Sequence, residues 1–528
     1  MTMGITIITT AKGSGKRWEE TFPADKDNHE NMGLRTDDRE DAGTTREGSR
    51  KDAVTQRDDC ADAGMQRDDR EDAGARKGSR KDIVTITVDP ESEEQTIEGF
   101  GGAFTDTAAA ALRQMEPRLQ RQALDMYFDR EKGLGYNAGR VSIGSCDFSR
   151  EIYSYDDQEG DLALRRFSVD CDRDGVIPFI QEAQETAGPN HSLELYALPW
   201  SPPAWMKTNR SMLNGGKLRR EYYAVMADYI GRFVDAYRAF GIDIHAVTAQ
   251  NEPNENQKWP SCLYTEEEER DFLRYLIPEM KKRGVSILCW DCNKDYMRKR
   301  VEFLMEDPEI RPAIDGVGFH WYSGGFYEEL SAVHERYPEL KLCATECCVV
   351  MPEKLDDWSV GERYVYDMMQ DFNHGTCVWL DWNLYLDEES GPKCFENPCA
   401  APIILDKKRQ ELIRMSSYYY IGHLSRYVEK GAVHIKSSLH TGSEMKDGSG
   451  TCTKNAAQIK SPMYTVNAKS GKEKESGLMC SAFRNPGGEQ VVVVMNTQDQ
   501  EQPVCIETGD RRCSWTMEGH SIATVRFA

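Results

Sequence analysis

The fold of this chain is decided by the stretch HAVTAQNEP, residues 245–253, in which a short apolar run ends in an amide, a carboxylate and a proline. Buried parallel strands are apolar on both faces, and a proline just beyond a strand removes no ladder hydrogen bond. The stretch therefore predicts a buried strand that delivers Asn251 and Glu252 at its tip. In a barrel of alternating strands and helices, catalytic groups gather at this end of the strands.

Similar apolar runs alternate with helical segments along most of the chain. Eight of them are predicted to be barrel strands, at residues 100–104, 140–143, 196–200, 247–252, 287–291, 317–321, 342–346 and 378–382. The clearest helix places apolar residues at three- and four-residue spacing from Tyr222 to Tyr237, and another begins with the capping box of Thr265 and Glu268. Eight such units predict an α/β fold, a (β/α)8 TIM barrel over residues 97–425.

After Tyr427 the pattern changes to short runs with period two, which predicts a C-terminal β-sandwich over residues 426–528. Residues 1–23 and 83–96 contain similar runs, so we expect the sandwich to be built from both chain ends. We expect the strands at 5–10 and 83–88 to form one hairpin, with residues 24–82 inserted into it. Residues 441–478, rich in Ser, Gly and Lys, are predicted to be an exposed loop.

Residues 24–82 contain a short internal duplication. DDREDAG at 37–43 returns at 68–74, and GSRKD at 48–52 returns at 78–82. A segment so charged and so poor in large apolar side chains cannot bury enough surface to offset its chain entropy. We predict that it is disordered, with a charged interaction tail as the alternative.

Composition excludes several classes of protein. The 528 residues carry a formal net charge of -23, which argues against nucleic acid as a partner because phosphate binding needs clustered Lys and Arg. No run of eighteen apolar residues predicts a membrane span, and the first residues do not resemble a signal peptide. We expect a cytoplasmic protein with reduced cysteines, with secretion as the alternative; the sequence leaves the oligomeric state open.

Glu346 is a second carboxylate at the end of an apolar run, 94 residues after Glu252. If the fourth and seventh barrel strands carry these residues, the two carboxylates face each other across the pocket. A pair about 5 Å apart suits retaining glycoside hydrolysis, in which one attacks the anomeric carbon and the other protonates the leaving oxygen. Either residue alone would more often be a surface or salt-bridged carboxylate, so the pairing carries the hypothesis.

Aromatic side chains near the strand ends indicate a sugar substrate, because flat rings stack on the apolar faces of pyranoses. They are Trp200, Trp205, Trp259, Trp321, Tyr322, Trp379 and Trp382, of which we expect about half to belong to the core. Arg140, Asp147, Asn251 and Asn397 are candidates for hydrogen bonds to sugar hydroxyls. No cluster of His, Cys and carboxylates has convincing metal spacing, so we expect no metal and no cofactor.

Several motifs resemble glycoside hydrolase family 30, which includes the glucosylceramidases. They include EGFGGAFTD at 98–106, PWSPPAWMKTN at 199–209, TAQNEP at 248–253, GFHWY at 318–322 and DWNL at 381–384. The resemblance implies a (β/α)8 barrel fused to a β-sandwich and a retaining β-glycosidase that uses no cofactor. It also implies that Glu252 is the acid/base and Glu346 the nucleophile.

The resemblance extends to the sugar-binding residues. By motif position these are Arg140, Asp147, Phe148, Trp200, Asn251, Tyr322, Trp382 and Asn397, and we add Trp259 and His320. The loop at 254–259 is shorter than in the lysosomal glucosylceramidases and polar rather than apolar, which argues against a ceramide leaving group. Cys347 and Cys348 directly follow Glu346; we expect them to be packing residues, with inactivation by thiol reagents as a further hypothesis.

We therefore expect a retaining β-glucosidase of the glucosylceramidase type. An endo-β-1,6-glucanase or a β-xylosidase on the same scaffold is the alternative, since these would differ in loops rather than in carboxylates. A carbohydrate-binding protein without turnover is a further alternative, against which the presence of both Glu252 and Glu346 argues. An interaction protein that acts through residues 24–82 would lose its function when they are deleted; we expect deletion to leave the activity intact.

Overall fold

The computed structural model of this chain describes residues 4–22, 83–189, 192–441 and 477–528. The repeat at 24–82 and nearly all of the predicted loop at 441–478 lie outside these residues. The described strands are β1 (Ile5–Ala11), β2 (Glu19–Thr21), β3 (Val84–Thr96), β4 (Gly99–Phe104), β5 (Ala138–Ile143), β6 (Glu194–Pro199), β7 (Ile244–Thr248), β8 (Ser286–Asn293), β9 (Gly316–His320), β10 (Lys341–Glu346), β11 (Thr376–Asn383), β12 (Tyr385–Asp387), β13 (Ile403–Asp406), β14 (Glu411–Arg414), β15 (Val433–Thr441), β16 (Leu478–Arg484), β17 (Gln490–Asn496), β18 (Gln502–Thr508), β19 (Arg511–Met517) and β20 (Ser521–Phe527). The described helices are α1 (Asp106–Arg113), α2 (Pro117–Phe128), α3 (Val176–Ala187), α4 (Tyr223–Ala239), α5 (Glu266–Arg283), α6 (Met297–Met305), α7 (Tyr327–Arg336), α8 (Trp358–Phe372) and α9 (Ser416–Ser425).

Strands β4 to β11 are parallel and close into a barrel, in which β11 pairs with β4. Their residues are almost all buried, as expected for strands with side chains packed inside the barrel and helices outside. At Gly101 in β4, a Cβ would lie 1.9 Å from the carbonyl oxygen of Ala138 in β5, so only glycine lets these two strands approach. All eight predicted barrel strands are present, and the fold class is confirmed.

Two predicted helices are also confirmed. Helix α4 buries the predicted apolar face, including Tyr229, Phe233 and Tyr237. Helix α5 begins at the predicted capping box, in which the Thr265 hydroxyl accepts from the Glu268 backbone N–H and the Glu268 carboxylate accepts from the Thr265 N–H. Helix α4 packs against β7, the strand that precedes Glu252, and helix α5 packs against the neighbouring β8.

The second sheet has nine strands in the order β19-β18-β3-β15-β16-β17-β20-β1-β2. Strands β1 and β3 both join it, but the expectation that they form one hairpin is wrong. Strand β1 pairs with β2 and β20, whereas β3 pairs with β15 and β18. The period-two pattern specifies one buried face, and it does not specify the neighbouring strand.

A short sheet of β12, β13 and β14 lies beyond the last barrel strand. The connection between β12 and β13 carries Asn397 and Cys399. It is tied to the segment after β10 by backbone bonds from the Met351 N–H to the Pro398 carbonyl (2.7 Å) and from the Ala400 N–H to the Val349 carbonyl (2.9 Å). This connection brings Asn397 to the rim of the barrel.

Candidate active site

Glu252 and Glu346 meet at the C-terminal end of the barrel. Glu346 is the last residue of β10, and Glu252 follows β7 by four residues. One carboxylate oxygen of each lies within 4.8 Å of the other, and the residues are only 9% and 7% exposed. Glu252 has a φ of 47°, a left-handed conformation that costs a non-glycine residue free energy, and its N–H is held by the Asp291 carbonyl at 2.9 Å.

The guanidinium of Arg140, in the middle of β5, is fully buried and contacts the Glu346 carboxylate. Nη1 donates to Oε2 of Glu346, and Nη2 donates to Oδ1 of Asn251 at 2.7 Å and to Oδ2 of Asp291 at 3.3 Å. One cation therefore fixes three acceptors that come from three different strand ends. A planar fork of donors suits this arrangement, which lysine could not reproduce.

Asp291, in β8, is a site residue to which the sequence analysis assigned no role. Its carboxylate accepts from the hydroxyls of Thr248 (3.0 Å) and Thr345, and it lies 3.3 Å from Nε2 of His320. Burial raises the pKa of Asp291, but Arg140 and His320 outweigh it and bring the pKa to about 2. Asp291 is therefore an anion at neutral pH.

His320 connects Asp291 to Glu252. Its Nδ1 lies 3.2 Å from Oε1 of Glu252. Burial lowers the pKa of His320, but the charge of Glu346 and the hydrogen bonds to Asp291 and Glu252 raise it more, to about 9. The ring is therefore protonated at neutral pH and donates from both nitrogens, which fixes the direction in which Glu252 points.

Glu346 is held by donors on both of its oxygens. The Tyr322 hydroxyl donates to Oε1 at 3.0 Å, while Arg140 donates to Oε2. Burial raises the pKa of Glu346, and the charges of Arg140 and His320 offset only part of this rise. Hydrogen bonds of this kind favour the ionised form and orient it.

Aromatic rings and a second polar pair lie on one side of the carboxylates. Trp200 and Trp382 stack with centroids 5.2 Å apart, and Phe148 meets Trp382 edge-on at 5.8 Å. The Asn397 amide donates to Oδ2 of Asp147 at 2.7 Å. Burial and the charge of Glu346 raise the pKa of Asp147 to about 8, so this carboxyl keeps a proton at neutral pH that it can donate.

The other aromatic candidates divide between site and core. Trp259 packs against the cluster that contains Phe148, Trp200 and Trp382. Trp205, Trp321 and Trp379 belong to the main hydrophobic core. Three of the seven candidate rings therefore belong to the main core.

Two cysteines border the site. The Cys348 thiol lies 3.4 Å from the Tyr322 hydroxyl and 3.1 Å from the Cys399 thiol. Cys347, in contrast, is fully buried. The sequence analysis singled out Cys348 because it lies two residues after Glu346. Cys399 lies 51 residues further along the chain, and only the fold brings its thiol to the site.

Two groups of described residues have ligand atoms spaced closely enough for a metal ion. Glu252, His320 and Glu346 form one, and Glu98, Glu194 and His245 form the other. In the first group Arg140 donates to Glu346 and His320 is itself a cation. In the second group, lysine ammonium groups bond the carboxylates, Lys341 to Glu98 at 2.6 Å and Lys430 to Glu194 at 2.5 Å. Protein cations thus already balance both groups, and we assign neither to a metal.

Comparison of the sequence with models of known protein families assigns the chain to a family. The model of the glycosyl hydrolase family 30 TIM-barrel domain matches residues 97–428, more than half of the chain, and that of the family 30 beta sandwich domain matches residues 465–525. The chain belongs to glycosyl hydrolase family 30. This confirms the family resemblance and the prediction of a glycoside hydrolase, whose substrate is a carbohydrate or glycoside.

Individual family 30 relatives align over most of the chain. Lysosomal acid glucosylceramidase of Mus musculus is 30% identical in an alignment of 460 positions that covers 83% of this chain and 82% of the mouse protein. The crystal structure of SrfJ from Salmonella typhimurium covers 99% of both chains with a TM-score of 0.78 and 30% identity. A solved endo-β-1,6-glucanase covers 99% of this chain and 100% of its own, with a TM-score of 0.73 and 27% identity.

In the ranges that the structure describes, no helix is long and apolar enough to cross a lipid bilayer.

Proposed function

We propose that this family 30 enzyme hydrolyses β-D-glucosides with retention of configuration, by double displacement. The observation that carries the proposal is the approach of a Glu252 oxygen to within 4.8 Å of a Glu346 oxygen. Retaining enzymes hold their carboxyl groups roughly 5–5.5 Å apart, whereas inverting enzymes need about 6.5–9.5 Å to admit a water molecule.

In the first step Glu346 acts as the nucleophile. Its carboxylate, oriented by Arg140 and Tyr322, attacks the anomeric carbon, and the bond from that carbon to the leaving oxygen breaks. Glu252 gives its proton to the leaving oxygen, so that an alcohol departs and a glucosyl ester remains on Glu346. His320 holds the Glu252 carboxyl in place during this transfer.

In the second step Glu252 acts as the base. It takes a proton from a water molecule, whose oxygen attacks the anomeric carbon and releases Glu346. The released sugar has the β configuration because the carbon is inverted twice. Glu252 is then protonated and ready for the next substrate.

The aromatic residues support the proposal that glucose binds in the subsite on the non-reducing side of the cleaved bond. Trp200, Trp382 and Phe148 pack into an apolar cluster whose two Trp rings lie 4.9 and 5.3 Å from the Arg140 guanidinium, and we expect the pyranose to pack against the edge of this cluster. Asn251 accepts from Arg140 through its oxygen, which leaves its amide N–H groups for the 2-hydroxyl of the sugar. Asp147 can donate its proton to another hydroxyl.

Hydrolysis of β-1,6-glucan is a second candidate function. The solved endo-β-1,6-glucanase aligns with this chain from end to end, and the loop at 254–259 is polar. Both candidates use the same two carboxylates and differ in the leaving group. The mouse relative that is named a glucosylceramidase supports the glucosidase candidate.

The proposal is tested by turnover of 4-nitrophenyl β-glucoside beside the β-xyloside, β-galactoside and β-fucoside. We expect the wild type to prefer the glucoside and Glu346→Gln to be inactive, since it lacks the attacking carboxylate. Glu252→Gln should slow the cleavage of poor leaving groups by about 10²–10⁴-fold and affect good ones far less. Turnover by folded Glu346→Gln at the wild-type rate would refute the assignment.

The size of the products separates the two candidate functions. A β-1,6-glucan digested by an exo-acting glucosidase releases glucose from the start. An endo-acting glucanase first releases oligosaccharides of several sizes, and glucose appears late. The carboxylate variants serve as negative controls in both digests.

A further inference from the structure

The strand that carries Asp291 contains a β-bulge. Trp290 pairs with Gly318 and Cys292 pairs with Phe319 of β9, so Asp291 is an extra residue that has no partner in β9. Trp290 and Asp291 have φ values of 71° and 73°, a left-handed conformation that costs a non-glycine residue free energy. Two such residues in succession persist only where the surrounding structure holds them.

The bulge turns the Asp291 carboxylate into the barrel. Side chains alternate along a strand, so Trp290 would otherwise follow Leu288 into the barrel interior and Asp291 would point outward. Instead, Trp290 packs in the main hydrophobic core, where the guanidinium of Arg300 in α6 lies 5.1 Å from its ring centroid. Asp291 faces inward beside Gly318, at which a Cβ would lie only 2.9 Å from Oδ1 of Asp291. The bulge therefore decides that Asp291, and not Trp290, faces the catalytic residues.

The same bulge holds Glu252 through the backbone. The Asp291 carbonyl accepts the Glu252 N–H at 2.9 Å, and Glu252 is itself left-handed, with a φ of 47°. The Asp291 side chain also lies 3.3 Å from Nε2 of His320, which contacts Glu252 with its other ring nitrogen. One local backbone conformation therefore sets the position of Glu252 both directly and through His320.

A buried carboxylate from α5 holds this bulge. Glu269 is only 1% exposed, and its Oε1 accepts the backbone N–H of Trp290 at 3.0 Å. Its Oε2 accepts from Nη1 of Arg300 at 2.7 Å. A side-chain acceptor thus satisfies the backbone donor of the first left-handed residue, which favours the bulge over a regular strand.

Arg300 extends these contacts to the loop that follows Glu252. Its buried guanidinium donates from Nη2 to Oδ1 of Asn254 at 2.7 Å and to the Tyr264 carbonyl at 3.1 Å. The Tyr264 N–H in turn donates to the Pro253 carbonyl at 2.9 Å. The ion pair therefore contacts two segments that fix Glu252, the bulge that accepts its N–H and the loop that follows it.

We propose that Glu269 and Arg300 are positioning residues for the acid/base, because they hold the bulge and the loop that together orient Glu252. The assignment rests on the proposed role of Glu252 in glycoside hydrolysis. Both side chains act only through the groups they hold, and through Asp291 they also support His320. A buried ion pair is often no more stable than well-packed apolar residues, so stability alone does not explain these charges.

The kinetic test compares phenyl β-glucoside with 2,4-dinitrophenyl β-glucoside in the wild type and in Glu269→Leu/Arg300→Met. The double substitution removes the pair without leaving a buried charge unpaired. Phenol is a poor leaving group that needs the proton of Glu252, whereas dinitrophenolate leaves without it. We therefore expect the ratio of kcat/KM for the phenyl glucoside to that for the dinitrophenyl glucoside to fall about tenfold, part of the roughly 10²–10⁴-fold that a general acid contributes. Loss of folded protein lowers both rates equally and does not change the ratio.

Two further variants serve as controls for the kinetic test. Glu269→Gln keeps an acceptor for the Trp290 N–H and should retain most of the wild-type ratio. Glu279→Leu/Arg283→Met removes an ion pair of 2.8 Å further along α5 and should leave the ratio unchanged. A wild-type ratio in Glu269→Leu/Arg300→Met would mean that the pair only stabilises the fold, and a ratio in Glu269→Gln as low as in that double variant would contradict the role of the Trp290 hydrogen bond.

Crystal structures of the wild type and of Glu269→Leu/Arg300→Met separate this inference from the proposed function, since they need no turnover. We expect the variant to lose the left-handed conformation of Trp290 and Asp291 and the bond from the Glu252 N–H to the Asp291 carbonyl. If this displacement is seen but the wild type cleaves neither glucoside, the positioning of Glu252 by the pair stands and the proposed glucosidase function fails. If the bulge and Glu252 keep their places in the variant, the inference is refuted whether or not the glucosides are cleaved.

Discussion

At the residue scale, Asp291 should control the pH range of activity although it touches no reacting atom. Its charge helps to keep His320 protonated, so we expect kcat/KM to fall as the pH rises through about 9, where His320 loses its proton. Asp291→Asn removes that charge, lowers the pKa of His320 and moves the alkaline limb to lower pH. The weakened contacts to Arg140 and His320 should also reduce kcat/KM by roughly 10- to 100-fold.

The measurement is the pH profile of kcat/KM for the two proteins. Asp243→Asn, which changes an exposed aspartate, is the matched control and should reproduce the wild-type profile. A profile of Asp291→Asn with a lower rate and an unmoved alkaline limb would mean that Asp291 has only a structural role.

Cys348 should make the enzyme sensitive to thiol alkylation. The neighbouring Cys399 thiol and burial raise the pKa of Cys348, so its reaction with iodoacetamide should be slow at neutral pH and faster in alkali. The added group would displace the Tyr322 hydroxyl from Glu346 and reduce turnover. Peptide mapping should show that activity is lost in parallel with labelling of Cys348 and not with labelling of the exposed Cys171.

A Cys348→Ala variant provides the control for this prediction. Whatever its initial rate, it should lose no further activity under the same treatment. Full activity of a wild type that is stoichiometrically labelled at Cys348 would contradict the account.

Sequence alone could locate some of these residues and not others. Glu252 and Glu346 were predicted because each ends an apolar run, and Asp291 ends such a run as well. The role of Asp291 depends on four partners from four other strands, Arg140, Thr248, His320 and Thr345, which only the closed barrel brings together. The Cys348–Cys399 contact was not predictable for the same reason.

At the scale of elements, a buried ion pair fixes β8 to α8. Lys294 follows β8, and its ammonium lies 2.8 Å from Oδ1 of Asp371 in α8, with both side chains fully buried. Lys294→Met would leave a buried carboxylate without its counter-ion and should lower the free energy of unfolding by about 3–5 kcal/mol. Urea unfolding measures this loss, and the double variant Lys294→Met/Asp371→Leu should recover most of it.

The free energy of unfolding lost in Lys294→Met should also depend on pH, and the loss should become smaller as the pH falls. Burial raises the pKa of Asp371, and Lys294 limits the rise to about 6. Without Lys294 the folded state favours the protonated acid more strongly, so it gains stability relative to the unfolded state as the pH falls. The deficit of Lys294→Met should therefore be smaller at pH 5.5 than at pH 8, and equal deficits would contradict this account.

The positions of the strands could be predicted more reliably than the partner with which each strand pairs. The barrel strands were found because strands buried on both faces are apolar throughout, and neighbouring barrel strands follow one another in the chain. Strands β1 and β3 were also recognised, but not their partners, because β20 and β15 lie hundreds of residues away. A local pattern carries no information on such a choice.

At the scale of the whole molecule, His423 links the barrel to the second sheet. From α9 its ring nitrogens lie 2.9 Å from the Thr524 hydroxyl in β20 and 2.8 Å from the Thr10 hydroxyl in β1. Burial and the charge of Arg426 lower the pKa of His423 to about 3. The unfolded chain, in which this residue has its ordinary pKa, therefore binds more protons below about pH 6.5.

Stability should consequently decrease as the solution is acidified. The contribution of His423 is complete above about pH 6.5 and is lost toward pH 3, which amounts to about 2 kcal/mol between pH 7 and pH 5. His423→Gln keeps an amide for the two hydroxyls and has no proton to bind. The difference in unfolding free energy between the two proteins should shrink by about that amount at pH 5, and a difference that does not change with pH would contradict the assignment.

The central claim, that Glu346 attacks the sugar and Glu252 does not, is tested most directly by trapping the intermediate. A 2-deoxy-2-fluoro-β-glucoside with an activated leaving group should form the glucosyl ester quickly and hydrolyse it slowly, since the fluorine destabilises both transition states. Mass spectrometry of the digested protein should then find one fluoroglucosyl group on the peptide that contains Glu346, with loss of activity in proportion. A label on Glu252, or time-dependent turnover without any covalent label, would contradict the retaining mechanism proposed for this site.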